Sequence, residues 1–246
     1  MVTLMTITYY LQRKVQWATT TDGTPNQGPV AISLPSYHVQ YKHFATLTGV
    51  NITSTLLTAF REKGQAILQF LVKEKWDDKN DARQIVEAVY GEGDPNLHQV
   101  AWAILTGLQS FFKVKDDALF LLWDVTATAE EFERASKATE CEAPKLVIQG
   151  DPIASATSRW TVLVENGVIG QSTSAEAGFI CGLSFPFASY YNLNLQYQST
   201  ASTTLEFIQR YLLGISLDGS KCGGCKRQCN PKVVAFVCRF ADFQWL

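Results

Sequence analysis

Residues 221–238 read KCGGCKRQCNPKVVAFVC and hold four of the chain's six cysteines. Cys222, Cys225 and Cys229 are separated by two and then three residues, a spacing at which thiolates rising from one tight turn grip a single ion. Gly223 and Gly224 give that turn its backbone freedom, and Lys221, Lys226, Arg227 and Lys232 supply positive charge that favours thiolate over thiol. The first reading is a turn carrying reduced thiols with no cofactor; the chemistry such a set could do instead is structural zinc binding, with Cys222, Cys225 and Cys229 as its ligands. Cys238 fits the set less well. In VVAFVCRF the alternation puts Val234, Phe236, Cys238 and Phe240 on one apolar face, where a thiol packs as a small hydrophobe. A fourth ligand must then come from Cys141, Cys181 or a distant histidine; otherwise the stretch is a turn carrying reduced thiols. A disulfide pair is a further reading. A dithiol redox site is disfavoured, because Asn230-Pro231 is expected to break the chain where such a motif opens a helix.

The remaining reactive residues are dispersed. Ser184 and Ser216 lie near glycines, but neither sits in a nucleophile elbow. His38 and His43, five apart on an expected strand, face opposite sides, and His98 falls in the first turns of a helix. Gly91 and Gly93 precede a helix start, yet Glu92 and Asp94 put negative charge where a phosphate would sit, so they read as a helix stop and a helix cap. Glu130-Glu131 and Asp77-Asp78 read as solvated pairs. The basic stretch 221–232 lacks the aromatic interleaving of a single-strand binder.

Elements must position these residues, and the pattern changes along the chain. Alternation predicts strands over 2–11 and 30–43, the second containing SYHVQYKHF. Helical spacing then takes over. Leu56, Leu57, Phe60, Ile67, Leu68 and Leu71 form one stripe, with Gly64 on it for close approach of a neighbour. Ala82, Ile85, Val86 and Val89 form a shorter one that Gly91 ends. A third helix is capped by Asp94, turns at Pro95 and runs to Phe112 with apolar residues enough for a central rod. Residues 118–125 (ALFLLWDV) read as a strand buried on both faces, and Thr128 with Glu131 opens a modest helix. From residue 144 a β-meander is expected, with strands over 146–149, 159–165, 168–173, 179–187 and 190–198 and a hairpin turn at Asn166-Gly167. Thr203 and Glu206 read as a capping box for a helix ended by Gly214, and 233–245 as a last strand.

These elements predict a single α+β domain over residues 1–246, a mainly antiparallel sheet from the C-terminal half packed on a central helical block. Its parts are N-terminal strands (1–45), the helical block (51–113), the β-meander (144–198) and a C-terminal helix and strand (203–246). Twenty-one basic against 23 acidic residues argue against phosphate-driven nucleic-acid binding. The N-terminal segment lacks a basic start and a small-residue cleavage site, which points to a cytoplasmic protein with reduced thiols. Low charge and 12% aromatics suit packing against other protein surfaces. The expectation is a non-catalytic binding or self-assembling structural protein, with a protein partner or further copies of itself in a homo-oligomer. One alternative is a membrane-active, pore-forming protein that inserts the Ser/Thr-rich hairpins of 154–204. The other is an enzyme whose site is built from dispersed residues.

Overall fold

The structure, a computed structural model, describes residues 37–76, 81–114, 117–127, 131, 134, 143–152, 159–164, 167–172, 178–215 and 229–244. The N-terminal strand over 2–11, the hairpin turn at Asn166 and two of the proposed metal ligands, Cys222 and Cys225, lie outside these residues.

Among the described residues four helices come first: α1 (Tyr37–Thr48), α2 (Ile52–Lys73), α3 (Ala82–Gly91) and α4 (Leu97–Phe111). The expected strand through SYHVQYKHF is therefore α1. Its inward positions are Gln40 and Phe44, four apart, and the buried glutamine interrupts the apolar period that would have marked a helix. Helix α2 carries the expected stripe, and Gly64 does bring a neighbour close: a Cβ there would lie 2.6 Å from Val100 Cγ1 of α4. Helix α4 starts slightly later than Asp94-Pro95 suggests. Asn96 Oδ1 accepts from the backbone N–H of His98 at 2.9 Å and of Gln99 at 3.0 Å, while Gln99 Oε1 accepts from Asn96 N–H at 2.7 Å. That reciprocal pair satisfies orphan donors better than an aspartate two residues upstream.

The sheet has strand order β1 (Phe120–Trp123), β2 (Lys145–Gln149), β3 (Arg159–Val164) and β4 (Gly167–Gln171). Strands β1 and β2 are parallel; β2 with β3 and β3 with β4 are antiparallel. The fold is thus α+β, with a mostly antiparallel sheet in the C-terminal half. Register pairs Phe120 with Leu146, Leu146 with Val162 and Ile148 with Trp160, one face that packs on the helices. Strand β1 was expected to be buried on both faces. It is instead an edge strand whose Leu122 is 60% exposed, while Glu131 and Arg134 beyond it are helical as expected.

The largest departures are in the second half. Residues 179–187 and 190–198, expected as strands, give α5 (Phe179–Asn192) and the turns after it, so the amphipathic hairpins of the pore-forming reading reduce to β3 and β4. Every residue of α5 except Cys181 is buried, so no polar face exists to display a helical period. Gly182 lets it settle on the sheet, where a Cβ would lie 2.9 Å from Trp160 Cγ. After α6 (Ser202–Phe207) and a π-helical turn (Ile208–Leu212), Gly214 (φ +67°) ends the segment. The expected last strand is α7 (Pro231–Gln244). Asn230-Pro231 does not break the chain but opens this helix: Asn230 Oδ1 accepts from Lys232 N–H at 3.0 Å and proline takes the first helical position. Val233, Phe236 and Phe240 are buried at helical spacing, and Phe236 stacks edge-on against Phe70, Phe111, Phe112 and Phe207 at 5.1–5.6 Å. Val234 and Cys238 face outward, so Cys238 is no core thiol. Among the described residues no helix is long and apolar enough to cross a membrane.

Candidate functional site

Two regions gather polar side chains inside this framework. The first is centred on Glu206, which is fully buried in α6. Its Oε1 accepts from Arg210 Nε at 2.6 Å, and both carboxylate oxygens accept from the backbone N–H of Asn230 at 3.2 and 3.3 Å. Asn230 Nδ2 donates to Thr203 Oγ1 at 3.1 Å. Thr203 and Glu206 therefore do not form a capping box; both reach across to the start of α7. Cys229 also donates to Glu206, and burial followed by that carboxylate pushes its thiol up to about 11, outweighing Arg210 and the Asn230 amide. Beside this cluster Tyr197 donates to Gln209 at 3.0 Å, and burial pushes the Tyr191 phenol up to about 12.

Of the proposed metal ligands, the structure places Cys229 here, half-buried and hydrogen-bonded to a carboxylate as a thiol. Among the described residues no three His, Cys, Asp or Glu side chains stand grouped to hold a metal ion.

The dispersed candidates are each engaged elsewhere. His43 Nδ1 meets Asn192 Oδ1 at 3.0 Å, and Asn192 Nδ2 donates to Gln40 O at 2.9 Å, tying α1 to α5. His98 Nδ1 accepts from Ile180 N–H at 3.4 Å, and burial lowers its pKa, which keeps the imidazole neutral and the bond intact. Ser184 is fully buried and donates to Ile180 O at 2.7 Å, one turn back on its own helix. Among the described residues neither His43 nor His98 is bonded to a serine or a thiol. His38 lies on α1, and Ser216 lies outside the described residues.

The second region is a pocket of about 320 Å³ between α3, α4 and the edge strand β1. Ala82 and Ile85 of α3, Trp102 of α4, and Phe120, Leu121 and Leu122 of β1 make its apolar lining. Trp102 is locked in place by Phe120 at 5.6 Å and Phe179 at 5.3 Å between ring centroids. Thr106, Gln109 and Ser110 of α4 and Asp117 before β1 add its polar groups. Gln109 is only 6% exposed, and its Oε1 has no hydrogen-bond partner among the described residues; nor does the buried Oγ1 of Thr106. Polar atoms taken from water without a partner cost about 1–3 kcal/mol each, and these two lie beneath the pocket surface, out of reach of a water-sized molecule.

The sequence carries a signal for this site that reactive residue types alone do not reveal. Trp102, Thr106 and Gln109 recur at helical spacing beside the apolar stripe of α4, and two polar residues so placed on a core helix are a local inconsistency. No protein-family model, no curated protein and no solved structure matches this chain, so its function rests on this geometry.

Proposed function

We propose that this is a non-catalytic binding protein whose recognition site is the pocket between β1, α3 and α4. The observation that carries the reading is a mainly apolar pocket of about 320 Å³ with a fixed aromatic wall, Trp102 held by Phe120 and Phe179. A concave, mainly apolar pocket with a few fixed polar groups is the usual form of a small-ligand site. Its volume suits a compact ring or a single large side chain presented by a partner protein. Among the described residues Asp117 is the only titratable side chain in its lining, which supplies no acid–base pair for chemistry.

The reading is tested by unfolding the protein thermally with increasing toluene. A binder of the native state raises the midpoint saturably. Such a rise is expected, and Ile85→Trp, which fills the pocket from a half-buried position, should abolish it. A midpoint that never rises, or a rise that Ile85→Trp leaves intact, contradicts the proposal.

A further inference from the structure

The pocket's aromatic wall is held from behind, at the start of α5. His98 and Trp102 stand one turn apart on α4, and both meet the first turn of that helix. His98 Nδ1 accepts from the backbone N–H of Ile180 at 3.4 Å, across 82 residues of sequence. Its ring lies so near the chain that a Cβ at Gly178 would stand 2.3–2.8 Å from the ring atoms. Between those two residues Phe179 sets its ring against Trp102 at 5.3 Å and Phe120 at 5.6 Å, the two rings that line the cavity. Gly178 has no side chain to cap the free amides of α5, so His98 caps one of them from another helix.

To accept this bond Nδ1 must offer its lone pair, so the neutral ring carries its proton on Nε2. A second proton takes that same lone pair and sets a donor against a donor. It also places positive charge at the N-terminal ends of α4 and α5, where both helix dipoles oppose it. Neither α4 nor β1 carries a charged side chain to offset it. Glu92 and Asp94, before α4, are exposed; the first turn of α5 carries the Cys181 thiol, pushed up by burial; and Glu176 lies outside the described residues. From this we infer that His98 is an acid-sensitive latch on the pocket: protonation at Nδ1 releases the first turn of α5, and Phe179 no longer holds Trp102 in the binding wall. Burial keeps the ring's pKa below its ordinary 6.5, so the latch is shut at neutral pH and opens as pH falls below that value. The inference rests on the pocket being the recognition site, and its test judges the two claims separately.

The probe is toluene, whose own charge does not change with pH. It is titrated into the full-length protein by NMR from neutral pH to about pH 4.5, across the imidazole range. The His98 ring, the Ile180 amide and the Trp102 indole should shift together, with one midpoint below 6.5. Toluene should bind about fivefold more weakly at the acid end, the factor that one helix cap represents. His98→Asn keeps an acceptor near the Nδ1 position that does not titrate, so its affinity should hold across the series. His98→Phe accepts no bond and should bind weakly at every pH. An affinity that stays constant while His98 titrates, or an acid loss that His98→Asn retains, overturns the latch and leaves the pocket a binding site. If toluene fails to bind at neutral pH the pocket reading falls, and the latch falls with it unless Ile180 and Trp102 still follow His98.

Discussion

The Glu206 cluster and the β1–α4 pocket both bury polar atoms, yet only the cluster ties most of its atoms to one another. Around Glu206 the carboxylate accepts from a guanidinium, a backbone amide and a thiol, and the asparagine that supplies the amide is itself held by Thr203. Beneath the pocket Gln109 Oε1 and Thr106 Oγ1 have no partner among the described residues and lie out of reach of a water-sized molecule. Arg210 Nη2 is also buried without a partner among the described residues, but the other bonds of the cluster fasten the first residues of α7 to α6, and α7 then sets Phe236 into the aromatic core. The unpartnered atoms beneath the pocket make no such joint, and the pocket itself is lined mainly by apolar and aromatic side chains. One region is a polar joint; the other is the mainly apolar surface proposed for recognition.

Deleting one polar group from each region should separate them sharply. Glu206→Ala leaves Arg210, whose side chain is 16% exposed, and the Asn230 amide without their acceptor. Loss of one partner from a buried ion pair costs about 3–5 kcal/mol, and equilibrium denaturation should show a loss in that range. Gln109→Met removes an atom that already lacks a partner, so its unfolding free energy should stay within about 1 kcal/mol of the parent or rise. A small loss at Glu206, or a large one at Gln109, would erase the distinction.

A pH series sharpens the comparison within the cluster. The Cys229 thiol is pushed up from 9.0 to about 11 in the folded chain, so between those values the folded state holds a proton that the unfolded chain has released. Stability from this group is therefore unaffected below pH 9 and is lost as pH rises from about 9 toward 11. Cys229→Ala should flatten that decline in the thermal midpoint, leaving the part due to Tyr191 and Tyr197, whose phenols are also raised. An equal decline in both proteins would show that Cys229 is not held by Glu206.

Particular residues explain which elements were legible in the sequence. Helices α2 and α3 each have one wet side, so their apolar stripes stand out, α4 has a clear start and apolar residues at helical spacing, and the hairpin of β3 and β4 keeps its alternation. Helix α5 was hidden because it has almost no wet side. Helix α7 was hidden by coincidence: Phe236 and Phe240 satisfy a period of two and a period near four together, and only the outward Val234 and Cys238 tell them apart. Asn230-Pro231 misled for a related reason, since the same pair of residues can end one helix or begin another, and its neighbours decide which. Glu206 looked like a cap because local chemistry favours that role, while its actual partners are Arg210 one turn on and the Asn230 amide, 24 residues away at the start of α7. The pocket was written in α4 as two polar residues on a buried helix, but its volume depends on where β1 comes to rest.

The most direct measurement is the location of a bound probe. With toluene added to the full-length protein, intermolecular nuclear Overhauser effects should connect its ring protons to the Trp102 indole, the Phe120 ring and the Ile85 methyls. Contacts found only at other surfaces, or none at saturating probe, would contradict the claim that this pocket is where the protein binds.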